Sequence, residues 1–323
     1  MFLYSFFFEG DDLAKISLER LAKNAERALV LGIGGGGDVL GTFPTGRYLE
    51  LLGVEVILGG VGWERIVYDP KPGPRSLEEV IDVERISETT GLANSDTRTN
   101  YGVVFQCSNM ARFLGKKTLL VDITKGVRGV VRGLRETVRH MDIDFIIGVD
   151  VGGDVLAQGG EAGLRSPLAD AMMLAALHQV DVPTITAVFA PSCDGELTTE
   201  EILERISRIS ERGGYLGARG LTYEDVEAMN EALKYVKTEA SMLPLLAWRG
   251  KRGIIEIRGG ERKVNLSILS TLTFYLDTDV VYSLGSLAKK VADTESLDEA
   301  NEKLHEVNIT TEYDYELQYA TKK

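Results

Sequence analysis

Two short glycine-rich segments, each with one aspartate, are the part of this chain best suited to chemistry. Residues 32–40 align without a gap on residues 148–156, and both segments end in the same five residues, Gly-Gly-Asp-Val-Leu. The backbone N–H groups of such a loop can bind an anion, while its aspartate, Asp38 or Asp154, can bind a hard cation. The repeat indicates two related halves, each placing one carboxylate just after a strand.

Further acidic residues follow other predicted strands. In a doubly wound sheet the ligand crevice lies beyond the carboxyl ends of the parallel strands, so these side chains are expected to converge there. Carboxylates in close proximity raise one another's pKa, and a divalent cation removes that cost. Oxygen ligands without paired cysteine or histidine favour Mg²⁺ or Mn²⁺. The predicted metal ligands are Asp38, Asp150, Asp154, Glu161, Asp194 and Glu196.

The same region supplies candidates for catalysis and for binding an anionic substrate. Glu161 and Glu196 are the candidates for a general base that activates water. Arg98, in a run of hydroxyl and amide residues, is expected to offer a guanidinium to the substrate. The backbone N–H groups of both glycine loops are also expected to donate hydrogen bonds to the substrate, at Gly35, Gly36, Gly37, Gly152 and Gly153.

A purely structural interpretation competes at several of these positions. An aspartate at a strand end or helix start is often a cap, and this interpretation is preferred for Asp170 and left open for Asp122. Asp194 and Glu196 also fit a turn before a helix that Thr198 and Glu201 would cap. The expected local counter-charges are Arg98, Lys125, Arg128 and Arg165.

The first loop also satisfies the dinucleotide pattern Gly-x-Gly-x-x-Gly through Gly32, Gly34 and Gly37. A nicotinamide site requires an acid at the end of the next strand, whereas the predicted strand 54–58 is followed by two glycines. The carboxylate of Asp38 would also lie beside the pyrophosphate and repel it. The sequence therefore argues against a dinucleotide site.

Short apolar runs bounded by glycine or proline predict the strands that position these loops. They lie at 28–33, 54–58, 118–121, 145–149 and 184–189, and helical patterns at 48–52, 101–114, 127–140 and 167–179 alternate with them. This alternation predicts an α/β fold with a doubly wound, Rossmann-like parallel sheet and helices on both faces. We assign this domain to residues 1–212. Residues 213–323 are expected to form a smaller α+β C-terminal layer with a hairpin at 252–266 and a polar surface tail.

The composition and the net charge limit the classes of ligand that this protein is expected to bind. The chain has 323 residues and a net charge of −13, which argues against nucleic acid and anionic membranes as partners. The negative net charge is compatible with a small anionic ligand if a metal ion supplies the positive charge. The two cysteines, Cys107 and Cys193, are far apart in sequence, which favours a reducing, cytoplasmic location. The low glutamine content weakly favours a thermophilic source. The apolar residues 1–8 are interpreted as an edge strand or docking segment rather than a signal peptide.

Several strings resemble a known family. Residues 32–41, 149–154, 166–170, 274–279 and 291–294 resemble an archaeal family catalogued as domain of unknown function 1152, over nearly the whole chain. More distantly, the second loop is similar to the Gly-x-x-x-Gly-Gly-Asn-Glu loop of the D-glutamate cyclase-like family. That resemblance implies a divalent metal among acidic side chains and a metal-dependent phosphatase activity in archaeal relatives. Asp150 and Asp154 fall on this loop, whereas Val155 stands where that family has a glutamate.

These observations lead to one expected function and two alternatives. The leading hypothesis is an enzyme dependent on Mn²⁺ or Mg²⁺ that hydrolyses a phosphate ester of a small anionic metabolite. The second is a lyase or cyclase acting on an acidic amino or hydroxy acid, as the more distant resemblance implies. The third is a non-enzymatic protein that binds a nucleotide or metabolite as a sensor. The sequence leaves the oligomeric state open, with a homo-oligomer among the alternatives.

Overall fold

A computed structural model describes residues 17–321 and is organised around one large, mostly parallel sheet. The strands are β1 (Arg27–Gly32), β2 (Glu55–Val61), β3 (Val80–Arg85), β4 (Thr90–Thr99), β5 (Thr118–Val121), β6 (Phe145–Val151), β7 (Thr184–Phe189), β8 (Tyr215–Gly220), β9 (Gly253–Ile257), β10 (Arg262–Leu266) and β11 (Leu272–Asp277). Nine of them form the sheet in the order β3-β4-β5-β2-β1-β6-β7-β11-β8, and β9 pairs with β10 in a separate hairpin.

The five central strands have the connectivity of a doubly wound fold. β5, β2, β1, β6 and β7 run parallel, and β1 has β2 on one side and β6 on the other. The chain builds outwards from β1 to β2 and β5, then returns to β6 and builds the other way. The strand order therefore reverses between β1 and β6, which is the switch point where this class of sheet opens a crevice. The Rossmann-like fold predicted from the sequence is confirmed.

Alternate residues of the central strands enter two different cores. On β1, Leu29 and Leu31 belong to one buried cluster, whereas Ala28 and Val30 belong to the other. This follows from the period of two in a strand, where successive side chains point to opposite faces. Both faces are buried, so the strand sequences are continuously apolar.

Helices cover both faces of the sheet. Their bounds are α1 (Leu18–Lys23), α2 (Thr42–Leu51), α3 (Gln106–Leu114), α4 (Gly126–Met141), α5 (Pro167–Gln179), α6 (Thr199–Glu211), α7 (Tyr223–Ala232), α8 (Leu243–Trp248), α9 (Thr278–Leu284), α10 (Ser286–Val291), α11 (Leu297–His305) and α12 (Glu312–Thr321). The buried side chains of α1, α2, α3, α7 and α8 share a core with Ala28 and Val30. Those of α4, α5, α6, α9, α10 and α11 pack on the other face.

The sheet extends further than the sequence patterns indicated. β3 and β4 add an antiparallel edge beside β5, in a region for which we had predicted no strand. Beyond residue 212, β11 pairs antiparallel with β7, and β8 pairs with β11. The C-terminal part of the chain therefore continues the same sheet, and only the β9–β10 hairpin stands apart from it. The segment 1–8 lies outside the described residues.

Local boundaries differ from the predictions where tertiary contacts decide them. α2 begins at Thr42, six residues before the predicted start, and α3 begins only at Gln106. The predicted surface tail contains α12, and two of its acids bind backbone N–H groups elsewhere in the fold. None of the helices within residues 17–321 is long and apolar enough to cross a membrane.

Candidate metal centre

The two glycine loops meet at the switch point between β1 and β6, and both lead into a short 3₁₀ helix. After β1 the turn is Gly36–Leu40, and after β6 it is Asp154–Leu156. The carboxylate of Asp38 accepts a hydrogen bond from the N–H of Gly34 at 3.1 Å and another from the N–H of Val151. Asp38 therefore ties the first loop to the end of β6 across the switch point.

Carboxylates from three consecutive parts of the chain converge beside these loops. Asp150 ends β6, Asp154 begins the second 3₁₀ helix, and Asp170 lies in the first turn of α5. One oxygen from each of these three residues lies within 4.8 Å of the others. The same spacing holds for Asp154, Asp194 and Glu196, so that Asp154 belongs to both groups. We call these five residues the carboxylate cluster.

The loop after β7 brings Asp194 and Glu196 to the cluster through unusual backbone geometry. Ala190 and Ser192 have φ values of 53° and 64°, a left-handed conformation that non-glycine residues rarely adopt. Such strain persists only where surrounding structure holds it, and it is frequent at functional sites. The N–H of Ser192 donates to the carbonyl of Gly152 at 2.6 Å, which fixes this loop against the second glycine loop.

Gly152 is required by this close approach. Its φ is +129°, and a Cβ at this position would lie 2.2 Å from Cγ of Asp194. A side chain there would be strained by the backbone and would also displace the Asp194 carboxylate. The first glycine of the repeated Gly-Gly-Asp-Val-Leu motif therefore makes room for Asp194, an acid that follows the next strand, β7.

Burial dominates the electrostatics of the cluster. Burial, opposed in part by the N–H of Val155, raises the pKa of Asp150 from 3.8 to about 6. Burial, followed by the charges of neighbouring carboxylates, raises the pKa values of Asp154, Asp170 and Asp194 well above their ordinary range. Burial and the charge of Asp150 do the same to the pKa of Asp38. Without a cation, these groups oppose one another's ionisation.

Two carboxylate oxygens in the cluster lack a partner. Oδ1 of Asp170 and Oδ2 of Asp194 are buried and accept no hydrogen bond within the described part of the chain. Leaving a buried acceptor unpaired costs about 1–3 kcal/mol. These two oxygens face other carboxylates instead of hydrogen-bond donors, so a hard cation is a better partner for them than any neighbouring protein group. Together with the spacing, these oxygens make the cluster a candidate site for Mg²⁺ or Mn²⁺.

Glu196 is held more firmly than the other members. Its carboxylate accepts hydrogen bonds from the N–H groups of Arg165 and Ser166 at 2.7 and 2.8 Å, and from the hydroxyl of Ser166. Arg262 donates to it from Nη1 at 2.6 Å. With this many donors holding its carboxylate, Glu196 is suited to a fixed ligand position.

Glu161 lies outside the cluster, contrary to the role of ligand and base assigned to it. Its oxygens accept hydrogen bonds from the N–H groups of Gln158 and Gly159, both at 2.8 Å, and from Arg205 at 3.2 Å. Burial alone would raise its pKa, but these hydrogen bonds outweigh burial and lower it. Glu161 therefore fastens its own loop and α6 together, and the structure leaves it no free oxygen at the cluster.

The structure also places other predicted substrate contacts elsewhere. Arg98 lies on β4, next to the edge strand β3, and its guanidinium pairs with Asp82 of β3 at 2.8 Å instead of contacting the carboxylate cluster. The N–H of Gly36 donates to Trp63, that of Gly152 donates to Phe189, and that of Gly153 donates to Asp150. These three N–H groups are thus used within the fold. Gly35, by contrast, is exposed on the first loop, next to Gly37.

The expected counter-charges are engaged elsewhere, and Arg262 takes their place. Lys125 pairs with Glu78 and Glu88, and Arg128 pairs with Asp293 and Glu295. The guanidinium of Arg165 donates to Tyr315, and only its backbone reaches Glu196. Arg262 comes from the β9–β10 hairpin, and its sequence position carried no signal of a role at the cluster.

The structure places Asp170 differently from the sequence expectation, and it gives Glu312 a role that no sequence pattern indicated. Asp170 was expected to cap α5, but its carboxylate belongs to the cluster. The cap is supplied by Glu312 of α12, which accepts hydrogen bonds from the N–H groups of Leu168 and Ala169 at 3.0 and 2.8 Å. Burial raises the pKa of Glu312 to about 8. A helix that starts at a switch point directs its first turn towards the crevice, so the position of Asp170 in the sequence could have indicated its place in the cluster. No sequence pattern indicated that Glu312 would cap α5.

Comparison with known proteins agrees with the resemblance seen in the sequence. No curated protein matches the chain. A family model described as "Protein of unknown function (DUF1152)" matches residues 29–320, which include both glycine loops, every strand from β2 to β11 and the whole carboxylate cluster. The chain therefore belongs to the DUF1152 family.

Proposed function

We propose that this protein is an enzyme dependent on Mn²⁺ or Mg²⁺ that hydrolyses a phosphate ester of a small anionic metabolite. One observation carries the proposal. Five buried carboxylates form two groups of three that share Asp154, at the switch point of a doubly wound sheet, and two of their oxygens lack partners. A carboxylate shared by two ligand groups also suits a pair of neighbouring cations.

The spacing and the hydrogen-bond partners of the acids indicate which role each would have. Asp150, Asp154 and Asp170 would hold one cation, and Asp154, Asp194 and Glu196 a second. When bound, such a cation supplies a Lewis acid for the phosphoryl oxygens and lowers the pKa of coordinated water. Glu196 is kept in place by four donors, whereas Asp170 has a free oxygen and a raised pKa. The free oxygen of Asp170 is thus available to a cation, whereas both oxygens of Glu161 are bound by its own loop and by Arg205.

Metal binding is the first requirement and is tested directly. Mn²⁺ is titrated by calorimetry into metal-stripped wild-type protein and into Asp154→Asn. Because Asp154 belongs to both ligand groups, the variant is expected to lose at least tenfold in affinity. Asp122→Asn is the matched control: Asp122 is also a buried acid at a strand end, but its partners are Leu77 and Thr124, outside the cluster. Equal affinities in all three proteins would refute the metal site.

Catalysis needs a second experiment. Phosphorylated metabolites are screened for phosphate release by the Mn²⁺-loaded protein, with Asp154→Asn as the negative control. Release that depends on Mn²⁺ and on Asp154 supports the proposal. Tight metal binding with no phosphate release from any ester would contradict the hydrolase, and would favour the lyase or the metabolite sensor on the same metal site.

A further inference from the structure

The tip of the β9–β10 hairpin places arginine side chains beside the carboxylate cluster. Arg262 at the start of β10 donates from Nη1 to Glu196 at 2.6 Å and to the carbonyl of Asp194 at 3.0 Å. Gly195, between these two acids, is so close that a Cβ on it would lie 3.0 Å from Cβ of Arg262. The hairpin therefore folds directly over the loop that carries Asp194 and Glu196.

Arg258 lies at the same tip and has a different environment. Its side chain makes no hydrogen bond or ion pair with any of residues 17–321, whereas its backbone N–H donates to Glu239 at 2.9 Å and its carbonyl accepts from the N–H of Glu261 at 3.4 Å. It is partly buried, and its guanidinium interacts electrostatically with Glu196 and Asp194 as well as with Arg262 and Arg65. A partly buried cation normally has a partner, because burial of an unpaired charge is costly.

The backbone at Arg258 is also unusual. Its φ is 53°, a left-handed conformation in a non-glycine residue. Positive φ is common at the tip of a tight hairpin, and glycine would adopt it there without the cost that an arginine has. The Glu239 carboxylate that holds this backbone also pairs with Arg65 at 3.7 Å. Arg65 follows Trp63 and Glu64, which contact the first glycine loop at Gly36.

Three arginines therefore connect the first glycine loop with the carboxylate cluster. Arg65 connects to the first glycine loop, Arg262 is bound to the carboxylate cluster, and Arg258 interacts with both arginines and with the acids. Burial, then the charges of Arg262 and Arg65, lower the pKa of Arg258. An anion placed among these guanidinium groups would relieve their repulsion, and it would lie next to the cations that the cluster is suited to hold.

We propose that Arg258, supported by Arg65 and Arg262, forms the subsite that binds the phosphate group of the substrate. The inference rests on the proposed function, because it takes the carboxylate cluster as the metal centre. The planar guanidinium of Arg258 presents paired N–H donors that match two oxygens of a phosphate. The hairpin thus supplies the positive charge that an acidic protein otherwise lacks near its metal centre.

Inorganic phosphate is the probe for this subsite. It is titrated by calorimetry into the full chain saturated with Mg²⁺, comparing wild-type protein with Arg258→Gln. We expect phosphate affinity to fall at least tenfold in the variant, while Mg²⁺ affinity stays within twofold of wild type. Arg258→Lys keeps the charge but loses the paired donors, and its phosphate affinity is expected to lie between the two. Thermal melting checks that each variant folds.

Lys263→Gln is the matched control. Lys263 lies on the same hairpin and its removal changes the net charge equally, but it is exposed and its ion pair is with Glu256. Phosphate affinity should stay within twofold of wild type. An Arg258→Gln variant that binds phosphate as wild type does would overturn the subsite, as would a wild-type protein that binds no phosphate with or without Mg²⁺.

The same titrations separate the two proposals. Failure of Mg²⁺ and Mn²⁺ to bind wild-type protein would refute the proposed function. Phosphate binding that still depends on Arg258 in metal-free protein would then support the subsite alone. Normal metal binding with phosphate affinity insensitive to Arg258 would leave the metal centre intact and refute the subsite.

Discussion

Replacing Asp154 by asparagine should stabilise the metal-free protein and weaken the stabilisation that metal provides. Asp154 lies within 4.8 Å of four other carboxylates through its two groups. Two unit charges at that distance repel by about 3 kcal/mol at an effective dielectric constant of about 20. The cluster lessens this cost by retaining protons, as the raised pKa values show. We therefore expect metal-free Asp154→Asn to be more stable than wild type by about 1–3 kcal/mol at pH 7.5.

Bound metal acts in the other direction. A ligand present at about 100 times its Kd stabilises the folded state by about 2.7 kcal/mol. Wild-type protein should gain this increment with Mn²⁺, whereas Asp154→Asn should gain at most about 1.4 kcal/mol, because a tenfold loss of affinity leaves Mn²⁺ at only about 10 times its Kd. Urea unfolding followed by circular dichroism, in EDTA and in Mn²⁺, measures both quantities.

The control is again Asp122→Asn. Asp122 uses both carboxylate oxygens to accept hydrogen bonds from Leu77 and Thr124, so an amide NH₂ in place of one oxygen would face a donor. This variant should lose about 1–3 kcal/mol in either buffer and keep the Mn²⁺ increment of wild type. The electrostatic reasoning fails if metal-free Asp154→Asn is less stable than wild type, or if Mn²⁺ stabilises both proteins equally.

Three further predictions follow from individual residues. Because the pKa of Asp150 rises from 3.8 to about 6 on folding, the folded state holds the extra proton, so the contribution of Asp150 to metal-free stability should fall by about 3 kcal/mol between about pH 4 and pH 6; urea unfolding of wild type and Asp150→Asn across that range isolates this contribution, and parallel profiles would contradict it. Glu161→Gln should cost about 1–3 kcal/mol through its lost loop contacts and leave Mn²⁺ affinity within twofold of wild type; a tenfold loss in calorimetry would return Glu161 to the metal centre. Gly152→Ala should abolish Mn²⁺ binding, because its Cβ would collide with Asp194, whereas Gly102→Ala, also at positive φ but with open space around it, should only lower the melting temperature; normal Mn²⁺ binding by Gly152→Ala would show that Asp194 is not a ligand.

Local sequence patterns were sufficient for the parallel core and for the position of the site. The apolar runs that predict β1, β2, β5, β6 and β7 are short, rich in Val, Ile and Leu, and bounded by glycine or proline, which favours buried strands over helices. Once those strands are parallel, their carboxyl ends must share one edge, so acids that follow different strands are brought together. Asp150, Asp154, Asp194 and Glu196 could be assigned to one place on this ground alone, without knowledge of any side-chain contact.

Only the tertiary structure decided which acids face one another. Asp170 and Glu161 are both acids near the second glycine loop, yet Asp170 is turned into the carboxylate cluster and Glu161 is bound by Arg205. The orientation of a side chain depends on the donors that packing brings to it, and those donors come from remote segments. Glu312 replaces the expected cap of α5 for the same reason.

The positive charge of the site was likewise hidden from the sequence. Arg258 and Arg262 follow the cluster residue Glu196 by more than sixty positions and lie in a hairpin with ordinary alternation. Nothing local distinguishes them from surface arginines. Their role appears only when the hairpin folds over the loop of Asp194 and Glu196, because charge complementarity between distant segments is a property of the folded chain. The sequence by itself thus determined the scaffold and the acids that follow its strands, whereas tertiary packing decided which carboxylates meet in the cluster and which arginines lie beside them.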